Sequence, residues 1–509
     1  MSIGNTNPST PSQKDSGFFK WIEIVGNKLP HPFMLFVYLC VIIIVVSALL
    51  SHWGLSVIHP GDGETVPVKS LLSTEGFHWA ITNMITNFTE FPPLGLVLCM
   101  VLGIGLAEKV GLIQAVLRKM ILNVPSSIVS FAIVFAGILG NLASDAAMII
   151  IPPLGAMVFL ALGRHPLAGL AAGMAGAGSG FTANFFIAGT DALLSGISTK
   201  VAQTINPNLT VTPLDNWYFM SASVLVLALL GTWITDKVVE PRLGAYRGDE
   251  KATLENLTAQ ENRALKVSGI VAVLFVGLVA LTVVPEGALL RNPETGDILD
   301  SPFIKGIIPI ILFFFIAVSV TYGLMLGKIK TQRDVPQLMG EAIKDMSSFI
   351  VLIFTAAQFI AYFEWTNMGL FLAVNGADLL MSLNMTGLPV LIAFILLTAV
   401  LNLFITSGSA QWALMAPVFI PMLMLMDYNP AFIQLAYRVA DSSTNTITPM
   451  SPYMPMMLAY ISKYQKNSGI GTVISLMMPY ALLFLGIWIV MIIAWYLIGL
   501  PLGPGVPVR

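Results

Sequence analysis

Charge is what this chain has least of. Asp, Glu, Lys and Arg make up 10% of its 509 residues, against 56% hydrophobic residues, whereas soluble domains carry about 25% charged residues. A water-soluble globular fold is thereby excluded. Alternating apolar segments are also missing. The apolar runs are continuous, which excludes a membrane β-barrel and leaves an all-α polytopic protein of the bacterial inner-membrane type. A net charge of −2 gives no basis for nucleic-acid binding. The two cysteines, Cys40 and Cys99, fall inside apolar runs and read as small hydrophobes without a metal or disulfide role. The histidines, among them His31, His52, His78 and His165, sit near the ends of apolar runs without ligand spacing. No phosphate loop, nucleotide fingerprint or His/Cys cluster is found, so no cofactor is expected and ATP-driven transport would need a separate subunit.

What is present is a series of stretches near the length of about 20 residues that crosses a hydrocarbon core. The polar start, residues 1–32, is unlike a cleavable signal and is expected to be a short cytoplasmic tail, since Lys14, Lys20 and Lys28 precede the first span at Phe33–His52. Gly54–Glu90 reads as an external loop with a short amphipathic helix, and Leu94–Ala107 as the second span. Residues 33–119 would be scaffold. Residues 120–235 would form a first transport-core repeat, closing with a span at Trp217–Ile234. The basic stretch 236–266, with Lys237, Arg242, Arg247, Lys251, Arg263 and Lys266, is a cytoplasmic loop expected to be helical around Leu254–Ala264. Central scaffold spans follow over 267–346, at Val267–Val284 and Phe303–Leu326, separated by an acidic external loop that includes Asp300. A second transport-core region covers 347–462, and the last span at Thr472–Leu500 lies within 463–509.

Two regions depart from plain spans. Met120–Leu162 carries one ionisable residue, Asp145, in ILGNLASDAAMIIIPPLG. Asn141, Ser144, Asp145 and the Pro152-Pro153 pair break it near 141–147, giving either a re-entrant hairpin or a kinked helix. Leu379–Met426 has no ionisable residue and is broken at Thr406-Ser407-Gly408-Ser409, a second hairpin tip near 405–410. Each is followed by a polar interruption, GSGFTAN in the first half and DSSTNTIT in the second. The spacing from Asp145 to Pro166 equals that from Ser409 to Pro430. Paired interruptions at corresponding places in two halves are the sequence pointer to an inverted-repeat secondary transporter, because lipid tolerates non-helical backbone only under protein or beside a water-lined cavity.

Ionisable groups at that depth are candidates for function. Arg438 and Asp441 are three residues apart, which predicts a shared helix face. They form either a structural ion pair or a site in which Arg438 meets a solute carboxylate while Asp441 carries a proton or holds a cation. Asp191 has no basic neighbour in sequence. It is either neutral when buried, exposed to an aqueous path, or at a wet helix end. Asn184, Asn402 and Asn445 can close unwound backbone or ligate a cation through their carbonyls. Ser407, Gly408 and Ser409 would form a tip whose N–H groups favour an anion. Trp412 is either an interface anchor or an aromatic wall of the site. Pro417, Pro421, Pro449, Pro452 and Pro455 are expected to fix kinks.

The blocks GSGFTANFFIAGTDALLSG and YRVADSSTNTITPMSPYMP, with Ser409, Trp412, Pro430, Arg438, Asp441 and Asp191, resemble the p-aminobenzoyl-glutamate transporter family over nearly the full length. The resemblance implies a homodimer with nine transmembrane helices and two re-entrant hairpins per protomer, an inner dimerisation scaffold and an outer transport core. It implies substrate contacts at Ser409, Trp412, Pro430, Arg438 and Asp441, proton or ion coupling at Asp191 and Asp441, and candidate sodium positions at Asn184 and Asn445. The substrate would be p-aminobenzoyl-glutamate or a related folate catabolite, a small anionic aromatic compound, and some members are similar to sulfonamide exporters. A proton-coupled exporter is the expectation. A sodium- or proton-coupled importer of the same compound or another dicarboxylate is the rival within transport. A channel would show passive conductance without saturable counterflow, and a membrane enzyme would need a catalytic cluster that the chain lacks.

Overall fold

The computed structural model describes residues 30–508 apart from 59–62, 123, 144, 249, 251–255, 299, 300, 384 and 467, and apart from the side chains of 143, 145 and 146. The tail lysines Lys14, Lys20 and Lys28, the side chain of Asp145, and Ser144, Lys251, Leu254 and Asp300 therefore lie outside the described residues. Nineteen helices of nine or more residues organise the rest. They are α1 (Pro32–His52), α2 (Thr74–Thr89), α3 (Pro92–Lys109), α4 (Leu112–Leu122), α5 (Val129–Leu139), α6 (Asp145–Ala161), α7 (Pro166–Met174), α8 (Gly189–Ala202), α9 (Trp217–Ile234), α10 (Ala259–Leu281), α11 (Ile307–Met325), α12 (Asp334–Asp345) and α13 (Ser347–Trp365). There follow α14 (Met368–Ser382), α15 (Leu388–Asn402), α16 (Gly408–Met424), α17 (Pro430–Thr444), α18 (Met454–Tyr464) and α19 (Ile470–Ile498). A two-stranded antiparallel ribbon, β1 (Ser56–Ile58) and β2 (Thr65–Pro67), joins α1 to α2 with Val57 opposite Val66.

Among the described residues seven helical stretches are long and apolar enough to cross a membrane. Counting the bent pair Leu112–Leu122 and Ser126–Leu142 as one further span gives eight. Two expected boundaries move. The second crossing starts at Thr74, because α2 and α3 form one stretch of 36 residues. Asn83, Asn87 and Glu90 hide this in the sequence. The structure offsets one of these polar groups inside, where Asn87 Nδ2 donates to Gln358 Oε1 at 3.0 Å. Likewise, the helix expected within the basic loop begins only at Ala259 and runs on through the next crossing. Thr258 and Glu261 cap it reciprocally, each accepting the other's backbone N–H at 3.1 and 2.7 Å.

Both apolar breaks form hairpins. In the first, α5 and α6 reverse at Gly140, where a side-chain carbon would lie 2.6 Å from Ala147 Cβ and 3.0 Å from Ile151 Cδ1. In the second, α15 and α16 run antiparallel. Gln411 Nε2 donates to Thr398 O at 3.0 Å, and the Phe394 and Phe419 rings lie 4.9 Å apart further along the arms. Each hairpin leans on the interrupted helix of its own half, and each of those helices begins with proline, Pro166 or Pro430, whose missing N–H costs nothing in a first turn. The α6–α7 contact is a backbone-to-backbone one. A methyl at Gly169 would meet Gly155 O at 2.2 Å, and one at Gly155 would meet Gly169 O at 2.4 Å.

Gly155→Ala and Gly169→Ala are each expected to lower stability by about 1–3 kcal/mol through overpacking, read by thermal unfolding in detergent. Gly277→Ala, on a helix face with open space, is the control expected to stay near wild type.

Candidate functional site

The interrupted helices supply the site because their breaks face one another. After α7 the backbone widens into an i→i+5 turn over Ala175–Ser179 and then runs irregularly to α8. After α17 it tightens over Asn445–Ile447 and runs irregularly to α18. The two breaks are stitched across the halves. Ser179 Oγ and Thr446 Oγ1 share a hydrogen bond at 2.6 Å, Thr182 Oγ1 and Ser442 Oγ at 2.7 Å, and Arg438 Nη2 donates to Thr182 O at 2.9 Å.

The hairpin asparagines play equivalent parts. Asn141 Nδ2 donates to Phe181 O and Ala183 O at 2.6 and 2.9 Å, closing carbonyls that the first break leaves open. Asn402 Nδ2 donates to Asp441 O, Thr444 Oγ1 and Asn445 Oδ1 at 2.6, 2.9 and 3.0 Å, serving the second break. In both asparagines Oδ1 is buried without a partner.

The predicted Arg438–Asp441 pair does not form. Arg438 Nη2 instead meets Asp191 Oδ1 at 2.7 Å, with the two side chains 1% and 4% exposed. Asp191 Oδ2 accepts from Ala188 N at 2.7 Å and Asn184 Nδ2 at 2.9 Å. The basic partner that Asp191 lacks nearby in sequence thus comes from the other half of the chain. Asp441 turns the opposite way, toward the second hairpin tip. A side-chain carbon at Gly408 would sit 3.1 Å from both Asp441 carboxyl oxygens, so any larger residue at the tip would push the carboxylate back by a few tenths of an ångström. Tyr437, one turn before Asp441, donates its hydroxyl to Gly408 O at 2.5 Å and lies 3.4 Å from Asp441 Oδ1.

Trp412 is fully buried. Its Nε1 donates to Ser198 Oγ at 3.1 Å and its ring packs on Tyr437 with centroids 4.5 Å apart. Ser198 passes the connection to Gln434 Oε1 at 2.6 Å, and Gln434 Nε2 to Asn216 Oδ1 at 3.0 Å. A buried polar network therefore ties α8, α16 and α17 together.

A cavity of about 430 Å³ opens between the breaks, the second tip and the helices α3 and α8. Of the residues singled out in the sequence, Thr406, Ser407, Gly408, Ser409, Asp441, Asn445 and Pro452 line it. Trp412, Pro430, Arg438, Asp191, Asn184, Asn141 and Asn402 do not. Pro430 is the first residue of α17, and the others form the frame behind the wall. The aromatic surfaces on the cavity are Phe181, Phe349, Tyr437 and Tyr453, which sequence reasoning passed over. Tyr437 had a usable signal, since four residues before Asp441 is the same helix face. Thr190 also lines the cavity, and its buried hydroxyl has no partner. No group of three or more His, Cys, Asp or Glu side chains suited to a metal ion occurs among the described residues.

Two hairpins and two interrupted helices enclosing a partly polar cavity define a multi-pass helical transporter. The family model described as the AbgT putative transporter family matches residues 17–509, and the chain belongs to that family. It is 48% identical over 499 residues to the p-aminobenzoyl-glutamate transport protein of Escherichia coli (strain K12), covering 98% of each chain. Among solved structures it is similar to the YdaH transporter of Alcanivorax borkumensis, described as having an unusual topology, with a TM-score of 0.90 and 39% identity over 93% of this chain and 100% of that one. It is similar also to MtrF of Neisseria gonorrhoeae, described as illuminating a class of antimetabolite efflux pumps, with a TM-score of 0.91 and 43% identity over 96% and 100%. The protein is thus a multi-pass transporter of the bacterial inner membrane.

Breaking the buried pair from one side leaves an uncompensated charge. Asp191→Leu or Arg438→Met alone is expected to lower stability by about 3–5 kcal/mol, and the two together by clearly less than the sum. A double-mutant cycle by denaturation in detergent measures this. Additive losses would mean that the two groups do not act as a pair.

Proposed function

We propose that the chain is a secondary active transporter of p-aminobenzoyl-glutamate or related p-aminobenzoate-like compounds, working as a proton-coupled exporter. One observation carries the reading. Asp441 faces the cavity beside the hairpin tip, while the nearby guanidinium of Arg438 is engaged behind the wall by Asp191. An ionised Asp441 repels a carboxylate placed next to it, whereas a neutralised Asp441 does not. Anion binding is then linked to uptake of a proton or cation at the same place, which is what coupled transport requires. The amino terminus of α16 at Gly408 and Ser409 adds a partial positive charge for an anionic group. Phe181, Phe349, Tyr437 and Tyr453 offer ring surfaces to the aromatic amide, and about 430 Å³ lies within the range of small-molecule sites.

Sodium coupling is the second reading, and a separate observation favours it. Asn402 Oδ1 is buried without a partner beside Asn445 and the Asp441 backbone. Oxygen donors suit a hard cation. Of the two positions that resemblance gave for sodium, Asn445 fits this donor set with Asn402 and Asp441. Asn184 stands apart from that set, beside Asp191, to which its Nδ2 donates. A sodium ion there would neutralise Asp441 as a proton does. Family likeness further supports a homodimer, whose partner and surrounding lipid would cover the apolar outer faces of helices such as α10, where Val273 is 72% exposed.

Flux of p-aminobenzoyl-glutamate in proteoliposomes under separately imposed proton and sodium gradients tests both readings. Outward movement that collapses with the proton gradient and ignores sodium is expected, and dependence on sodium alone would replace the exporter with the rival. Asp441→Asn, permanently neutral, is expected to keep solute exchange and lose gradient-driven accumulation.

A further inference from the structure

The second hairpin tip and Asp441 share one donor. Tyr437, on α17 one turn before Asp441, is fully buried, and its hydroxyl oxygen lies 2.5 Å from Gly408 O and 3.4 Å from Asp441 Oδ1. A hydroxyl carries a single proton, so it serves one of the two acceptors at a time. At these distances the proton is on Gly408 O, since O–H···O bonds run from about 2.5 to 3.0 Å. Among the described residues no other group donates to the Asp441 carboxyl. Arg438, the cation one turn back on the same helix, is held by Asp191 Oδ1 at 2.7 Å.

The tyrosine ring is clamped. It packs on Trp412 with centroids 4.5 Å apart, and Trp412 Nε1 is tied to Ser198 Oγ of α8 at 3.1 Å. What can change is the torsion of the O–H and the position of each acceptor. Asp441 has only to close roughly 0.8 Å to reach the length of a charge-assisted O–H···O⁻ bond, which is about twice as strong as one to a neutral carbonyl. An ionised Asp441 therefore draws the hydroxyl away from Gly408 O, and a neutral one leaves it there. Gly408 opens α16, and Thr406, Ser407 and Ser409 beside it line the cavity. Whatever holds Gly408 thus sets the wall that meets the solute.

We propose that Tyr437 is the positioning residue of the coupling step, its hydroxyl passing between Gly408 O and Asp441 so that the charge on Asp441 decides whether the second hairpin tip is tethered. The inference rests on the reading of Asp441 as the place where a proton or cation is taken up, and it adds how that uptake reaches the tip. The proton stays on the tyrosine oxygen throughout, and only its acceptor changes. With Asp441 neutralised, by either coupling ion, the tip is held against α17 as seen here. With Asp441 charged and empty, the first turn of α16 is released while Trp412, one turn further along, remains anchored.

Amide hydrogen–deuterium exchange of residues 405–412 in lipid nanodiscs reads the tether, measured at alkaline pH without sodium so that Asp441 carries its charge. Asp441→Asn is expected to slow exchange of this segment roughly three- to tenfold, the range one hydrogen bond supports, because the hydroxyl then stays on Gly408 O. Tyr437→Phe keeps the ring against Trp412 and removes only the hydroxyl. In that background Asp441→Asn should leave the exchange of the segment unchanged. A hydroxyl that merely braces the helix would let Asp441→Asn act equally in both backgrounds, and that result would overturn the proposal. So would an unchanged segment after Asp441→Asn alone. Tyr437→Phe is further expected to lower the ratio of gradient-driven accumulation to solute exchange in proteoliposomes by a similar factor, at matched melting temperature. Wild-type flux indifferent to both proton and sodium gradients would remove the coupling reading itself, whereas equal effects in the two backgrounds with coupling intact would remove only the tether.

Discussion

The structure depends on one buried ion pair. Arg438 and Asp191, 247 positions apart in the chain, are almost entirely removed from solvent. Desolvating either charge alone costs several kcal/mol, and their mutual attraction offsets this only with good geometry and further hydrogen bonds. The protein supplies those bonds from groups that cannot otherwise be satisfied. Ala188 N and Asn184 Nδ2 complete the carboxylate, while Thr182 O accepts from the guanidinium. The irregular segment after α7 is therefore held open by the same charge that fixes α17. Losing the pair would free the first break to rearrange and would leave a charge facing apolar walls.

Around that pair the breaks are arranged by small residues and amides. Gly140, Gly155 and Gly169 let hairpin and helix backbones touch. Asn141 and Asn402 do for the two breaks what a continuous helix would have done for itself, by occupying carbonyls that lost their i+4 donors. Asp441 and the tip of the second hairpin are left to face the cavity. The division is physical. Groups that stabilise the breaks are buried and donate their amide or guanidinium hydrogens to them, although Asn141 Oδ1, Asn402 Oδ1 and Arg438 Nε stay unpartnered, and groups that line the cavity are at its edge.

The division also explains why the residues singled out by chemistry split as they do. Arg438 and Trp412 have the composition of a binding site for an aromatic anion, yet both serve the frame. Trp412 donates to Ser198 and packs tilted against Tyr437, and the rings that reach the cavity are Phe181, Phe349, Tyr453 and Tyr437, the last beside Arg438 on α17. Side-chain chemistry identified the neighbourhood, and helical rotation decided which member of it touches the space.

The sequence by itself determined the membrane class, most of the crossings, the tip of the second hairpin and the paired interruptions, because each is a local matter. Long apolar runs must be helical in lipid, and Pro430, Gly408 and the DSSTNTIT stretch interrupt them wherever the chain goes. The start of α2 was masked by Asn83, Asn87 and Glu90, of which Asn87 finds its partner, Gln358, far along the chain. Only the tertiary structure decided that Asp191, and not Asp441, neutralises Arg438. Spacing along a helix gives the face that two residues share, but charge pairing in a buried core is set by which segments the fold brings within about 3 Å.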